Sequence, residues 1–238
     1  MIKVLVFGMT ENPGGVESVI MNYYRHIDRS RIQFDFLCNS YEKVAYEDEL
    51  QSLGGHTFHF PARSKNYPGY RRELTRFFRE HAGEYAAIWV NICSLANIDY
   101  LKLAAKYGIP KRIIHSHNSA NMDSRLRGLL HRYNRQQIEK YATDFWACSE
   151  EAARWFYPPD ICSRAVILHN AIDVKRMAFD AAGRESIRRQ MGWQDVFVIG
   201  NIGRLHFEKN QRFALDILTQ LIAKAPSVRL VLIGQGED

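Results

Sequence analysis

The chain has 238 residues, 46% of them hydrophobic and 12% aromatic, enough apolar side chain to bury a sizeable core and to exclude wholesale disorder. Lysine and arginine number 32 against 26 acidic residues, and the net charge of +6 suits an anionic partner without naming one. No apolar run approaches the roughly 18 to 20 residues of a membrane span, and the four cysteines (Cys38, Cys93, Cys148, Cys162) form no CxxC pair, which argues for reduced cytoplasmic thiols and against a zinc site. The first residues, Ile2 to Phe7, form a β-branched apolar run that reads as a buried strand rather than a signal peptide. Gly8 ends it, and Asn12-Pro13-Gly14-Gly15 makes a loop before a helix carrying Val16, Val19, Ile20, Tyr23 and Tyr24 at helical spacing. Strands are predicted at 34–38 and 57–60, a helix at 70–81, and further strands at 87–92 and 112–115 on either side of a helix at 98–107. A basic amphipathic helix follows at 126–141, then a strand at 144–148, a short helix at 150–156 and a strand at 165–168.

After His169-Asn170 the pattern changes. Residues 173–194 carry many charges and little apolar periodicity, as a connecting segment with its own helix would. A strand at 196–202, a helix at 211–224 and a strand at 228–233 then begin a new βαβ unit. Such a unit cannot cover its own sheet. The expected fold class is therefore α/β, with one complete Rossmann-like doubly wound domain over 1–172, a connection over 173–194, and the opening of a second domain over 195–238. No internal repeat or low-complexity segment interrupts it.

Three constellations carry chemistry. The Gly14-Gly15 turn between strand and helix lets backbone approach a ligand closely, and the helix offers free N–H groups to an anion. Its spacing is not GxGxxG, so the dinucleotide fingerprint is absent. His115-Ser116-His117-Asn118 falls at a strand end, where open α/β sheets bind ligands. The two rings are expected on opposite sides of the extended chain, which argues against a shared metal. Arg204 and Lys209 lie five apart in the loop after the strand at 196–202, so both can converge on one phosphate before a helix N-terminus. Two basic stretches stand out as well. Arg71, Arg72, Arg76 and Arg79 interleave with Tyr67, Tyr70, Phe77 and Phe78, and Arg125, Arg127, Arg132, Arg135 and Lys140 form a second face. Either suits an anionic membrane surface or nucleic acid, or else a solvated face backed by core aromatics.

These pieces occur together in order: Pro13-Gly14-Gly15-Val16-Glu17, His115-Ser116-His117-Asn118, Ala147-Cys148-Ser149-Glu150, Leu168-His169-Asn170-Ala171-Ile172-Asp173, Gly200-Asn201-Ile202-Gly203-Arg204 with Lys209-Asn210, and Leu232-Ile233-Gly234-Gln235-Gly236-Glu237. Carrying them almost end to end, the chain resembles the retaining nucleotide-sugar glycosyltransferases of family four. It looks closest to members that build capsular or extracellular polysaccharide. The resemblance implies the GT-B fold and transfer of a sugar from a UDP- or GDP-sugar to a glycan or polyprenyl-linked acceptor. It implies no metal and no further cofactor. The absence of RNP, KH or helix-turn-helix signals argues against a nucleic-acid partner. The unpaired cysteines and the start of the chain suggest a cytoplasmic location, and the net charge with residues 70–80 suggests a peripheral position at an anionic membrane. By the same resemblance Gly14, Gly15, Asn118, Ser149 and Asn170 would sit beside the donor. His117 would face the reacting sugar, and Arg204 and Lys209 would grip the diphosphate.

The family's E-x7-E motif is expected beyond Gly234-Gln235-Gly236 and is not reached. The sequence thus reads as C-terminally truncated, and by itself it is expected to bind donor weakly and not to turn over. Two other readings share the architecture: a GT-B-like epimerase or phosphorylase, and a non-enzymatic anion-binding Rossmann module.

Overall fold

The computed structural model describes residues 1–120 and 124–236, which fall into two compact units, Met1–Asp173 and Val174–Asp238. In the first unit seven strands form one sheet in the order β3-β2-β1-β4-β5-β6-β7. They are β1 (Ile2–Phe7), β2 (Ile32–Cys38), β3 (Thr57–His59), β4 (Ala87–Ile92), β5 (Lys111–Ser116), β6 (Asp144–Ala147) and β7 (Val166–Ile167), and every neighbouring pair is parallel. The helices between them are α1 (Gly15–His26), α2 (Glu47–Ser52), α3 (Tyr67–His81), α4 (Asp99–Lys106), α5 (Arg125–Arg135), α6 (Glu150–Phe156) and α7 (Pro159–Cys162).

Alternation along the strands supplies both faces of this sheet. Leu5, Ile88 and Val90 point into a core closed by Tyr70, Leu74, Phe78, Leu101 and Phe156. Their neighbours Val6 and Trp89 point the other way, onto Ile20, Met21 and Tyr24 of α1 and Leu50 of α2. The strand order turns back between β1 and β4. The last residues of those two strands therefore flank the switch point at which such sheets leave a crevice.

Most elements fall where the hydrophobic pattern places them; the short helix α7 is an addition to it, and three others differ for reasons visible in the fold. The helix α2 has little periodicity to announce it; it is held by the Glu47 carboxylate, which accepts from the Val44 N–H (2.8 Å), Thr57 (2.8 Å) and His59 (2.9 Å). Burial drives the Glu47 pKa upward, but those donors outweigh it and leave it below the ordinary value. The helix predicted over 126–141 stops at Arg135. There the guanidinium reaches across to the carbonyls of Arg154 and Tyr157, and the chain tightens into a single 3-10 turn over Ile138–Lys140. Helix α3 starts at Tyr67, because Asn66 caps it by accepting from Gly69 N at 3.0 Å and Pro68 lies in the first turn.

In the second unit α8 (Ala181–Met191) is closed by the left-handed Gly192, and β8 (Phe197–Ile202) pairs in parallel with β9 (Val228–Ile233) across the crossover helix α9 (Gln211–Ile222). The ladder runs on past both strands: Gly203 N donates to Ile233 O (2.9 Å) and Leu205 N to Gln235 O (3.0 Å). Gly234 and Gly236 are needed here, because a Cβ on either would run into the carbonyl oxygens of Gly203 and Leu205. Among the described residues of this unit Val228 is the one buried hydrophobic, while Phe197, Ile202 and Phe213 stand exposed.

Gly234→Ala should part the extended ladder without touching the first unit. Amide exchange is expected to quicken at Gly203 and Leu205 and to stay unchanged in β1 and β4. Equal protection in both proteins would contradict the close backbone approach.

Candidate functional site

In an all-parallel sheet every strand delivers its following loop to the same edge. At that edge the structure gathers Gly14 and Gly15 after β1, His117 and Asn118 after β5, Ser149 after β6 and Asn170 after β7. Asn170 is exposed and lies beside α1, since the next carbonyl, Ala171 O, accepts from Asn22 of that helix at 2.7 Å. Ser149 caps α6 by accepting from Ala152 N (3.1 Å). Asn118 accepts from Ser119 N through its side chain (2.9 Å) and from the Ser116 hydroxyl through its carbonyl (3.3 Å).

Gly14 is the N-cap of α1, in ordinary extended backbone, and no side chain caps the helix. A Cβ on Gly14 would press on the Glu17 carboxylate at 2.9 Å, whereas one on Gly15 would meet nothing within 4 Å. No side chain caps this first turn, the space where a Gly15 side chain would stand is open, and the N–H groups carry the positive end of the helix dipole. Glu17 is only 5% exposed, and Thr10 donates to it. Through that bond Glu17, an acid in the first turn of α1, ties the loop before the helix to it.

The centre of the edge rests on a residue that the sequence reading did not single out. Asn91, 2% exposed at the end of β4, donates from Nδ2 to Phe7 O (3.3 Å) and presents Oδ1 to His117 Nε2 at 2.9 Å. An amide oxygen only accepts, so His117 carries its proton on Nε2. Gly8 (φ +139°) makes this possible, because a Cβ there would lie 2.7 Å from Asn91 Cβ. The available signal was an asparagine inside the otherwise apolar run of β4.

His115 and His117 lie together, with ring centroids 4.1 Å apart, rather than on opposite sides of the chain. The expected divergence was wrong because residues two apart on a strand share a face. His115 is fully buried between Trp89 (5.9 Å) and Trp146 (6.0 Å), and neither of its ring nitrogens has a hydrogen-bond partner among the described residues. Burial, with His117 adding to it, pushes the His115 pKa down to about 3. Burial alone pushes His117 down to about 4. Both rings are neutral at pH 7. Among the described residues no group of three or more His, Cys, Asp or Glu side chains is placed to hold a metal ion.

Arg204 and Lys209 belong to the second unit and are both exposed. The Lys209 stem lies over Gly203, 3.4 Å from where a Cβ would stand, which brings the ammonium back towards the start of the loop. Gln211 Nε2 donates to Arg204 O (2.8 Å), and Asn210, at φ +50°, caps α9 by accepting from Phe213 N (3.4 Å). The loop after β8 therefore holds two cations at the start of a helix.

The basic-aromatic face expected at residues 70–80 has a different composition in the fold. Tyr70, Phe77 and Phe78 are buried with Leu74, because one helical face must cover the sheet. Arg71 lies 3.8 Å from Asp99, Arg72 3.5 Å from Glu73 and Arg79 2.9 Å from Glu80, so much of the charge is locally compensated.

This architecture is that of the GT-B glycosyltransferases. Residues 13–176, well over half of the chain, match the model of Glycosyltransferase Family 4, and the chain belongs to that family. It is 33% identical over 236 residues to EpsF of Bacillus subtilis (strain 168), whose own name carries the glycosyltransferase role as an assignment; the match covers 94% of this chain and 60% of that protein. Anabaena Alr3699/HepE, crystallised with UDP and glucose, superposes with a TM-score of 0.75 at 19% identity over 100% of this chain and 62% of its own. A glycosyltransferase from Rickettsia africae ESF-5 superposes with a TM-score of 0.68 at 12% identity, over 98% of this chain and 68% of its own. The chain thus spans about 60% of the length of these first relatives.

Two predictions follow from the histidine pair. Each ring binds a proton less readily folded than unfolded. The stability it lends is complete above the unfolded pKa of about 6.5 and drains away as pH falls towards the folded values. Between pH 7 and pH 5 the protein should lose about 2 kcal/mol per ring, and His115→Phe should remove one such share in denaturant titrations at the two pH values. In Asn91→Leu, which removes the acceptor, the two ¹⁵N resonances of His117 should converge as the tautomers mix; an unchanged spectrum would rule out Asn91 as the determinant.

Proposed function

We propose that this chain is the acceptor-side domain and the beginning of the donor-side domain of a retaining, metal-independent hexosyltransferase. The enzyme moves a sugar from a nucleotide-sugar donor to a glycan or lipid-linked glycan acceptor in polysaccharide synthesis. The observation that carries this reading is a pair of strand-to-helix loops: the glycine turn Gly14-Gly15 at the uncapped start of α1, and the loop that brings Arg204 and Lys209 to the start of α9. Both are built to receive phosphate oxygens or other anionic and hydroxyl groups. Membership of the family supports it, as does the UDP held by the structurally similar Anabaena protein.

In this reading Arg204 and Lys209 hold the diphosphate and stabilise the negative charge that develops as its bond to the sugar breaks. The sugar passes through an oxocarbenium-like state. Gly14 and Gly15 let backbone N–H groups approach the donor, and Asn118, Ser149 and Asn170 supply polar groups along the same edge. His117 faces the sugar. Its low pKa and its bond to Asn91 make it a fixed, neutral contact rather than a proton carrier at pH 7. No described helix is long and apolar enough to cross a membrane.

Amide spectra of the chain titrated with UDP-glucose to millimolar concentration, in the presence of a chelator, test the assignment. Weak binding is expected, with shifts confined to Gly14–Glu17, His117–Asn118 and Gly203–Asn210. Arg204→Ala and Lys209→Ala should each weaken it about tenfold or more, as loss of a charge-assisted phosphate contact does. Shifts scattered elsewhere, or none at all, would sink it.

A further inference from the structure

Helix α5 is built inside out. A surface helix ordinarily turns its apolar stripe inward and its charges to water. Here the buried positions are His131 and Asn134, which clamp one backbone unit: Leu95 N donates to His131 Nδ1 (3.0 Å), and Asn134 Nδ2 donates to Leu95 O (2.7 Å). His131 also stacks on Trp155 with centroids 4.2 Å apart. The outward positions are Leu126 (67% exposed), Leu129 (53%), Leu130 (37%) and Tyr133 (64%). Interleaved with them are Arg125, Arg127 and Arg132, and the helix contains no acidic residue. Arg125 and Arg132 form no ion pair among the described residues, unlike Arg71, Arg72 and Arg79 of α3. A recess of about 470 Å³ opens at the same place, lined by Arg125, Gly128, Leu129, His131, Arg132 and Trp155.

Polar anchors fix the helix in this orientation, so the exposed leucines are not a frayed core face. Their exposure costs free energy in water, and a partner that is apolar and anionic at once would recover it. A nucleic acid would meet the arginines and leave the leucines wet. A second copy docked by a two-fold axis would set arginines against arginines. An anionic bilayer surface satisfies both features, with leucine and tyrosine in the acyl boundary and arginine at the phosphates. We infer that α5, with Leu126, Leu129, Leu130 and Tyr133 between Arg125 and Arg132, is a surface that docks on anionic lipid.

The helix follows β5, whose loop carries His117, so docking would bring the carboxyl edge of the sheet towards the lipid interface. That purpose rests on the proposed transfer to a lipid-linked acceptor; the binding itself does not.

Sedimentation of the chain with phosphatidylcholine vesicles, with and without phosphatidylglycerol, provides the test. Binding should require phosphatidylglycerol and weaken with salt. Leu126→Asn with Leu130→Asn should reduce it at least tenfold, as should Arg125→Glu with Arg132→Glu. Reversing Arg72 and Arg79 to Glu on α3, the same change of charge as in the α5 arginine pair, should weaken it far less. All the altered side chains are on the surface, and an unchanged circular dichroism melt would establish that the variants fold. Three results would overturn the inference: no binding to phosphatidylglycerol vesicles at low salt, binding that survives both α5 variants, or self-association that Leu126→Asn with Leu130→Asn abolishes. A failure of UDP-glucose binding alongside intact vesicle binding would count against the transferase reading alone.

Discussion

At the end of β1 the backbone passes so close to Asn91 that no side chain fits between them, and the chain there adopts a φ of +139° that only glycine takes without strain. The arrangement of the switch point depends on that passage. Through it Asn91 can reach the last carbonyl of β1 with its amide nitrogen and the imidazole of His117 with its amide oxygen. One buried side chain thus ties together β1, β4 and the residue just beyond β5. A larger residue at Gly8 would push the two strands apart, and the histidine would lose the acceptor that fixes its proton.

The parallel sheet multiplies the effect of this constraint. Because all seven strands run the same way, loops far apart in the chain arrive at one edge, and the helix that starts at Gly15 points its uncapped amides into it. The chemistry gathered there is largely polar: two uncharged imidazoles, the amides of Asn91, Asn118 and Asn170, a serine and backbone N–H groups, with the Glu17 carboxylate at the start of the helix. The cations of the proposed site belong to a different sheet, on the loop after β8.

Much of this was legible in the sequence because it rests on local periodicity. The strand Ile2–Phe7, the Gly14-Gly15 break and the restart at Phe197 each follow from a period of two or an interruption by glycine, and the fold places them as read. What escaped was set by partners distant in the chain. Helix α2 exists because Glu47 finds Thr57 and His59. Helix α5 ends early because Arg135 reaches carbonyls roughly twenty residues further on. Asn91 looked like one polar residue in an apolar strand, and its meaning came only from Phe7 and His117.

The sequence alone determined the class of fold, the order of the elements and which residue types stand at the strand ends, since hydrophobic spacing and glycine placement act over a few residues at a time. Only the tertiary structure decided which of two basic helices keeps apolar residues on the surface. Both have arginines among large apolar side chains, but α3 must turn its aromatics inward to cover the sheet, whereas α5 is moored by His131 and Asn134 to the backbone N–H and carbonyl of one residue, Leu95, and so leaves its leucines outside. Composition cannot show which face of a helix finds an anchor, because that depends on what the rest of the chain brings alongside it.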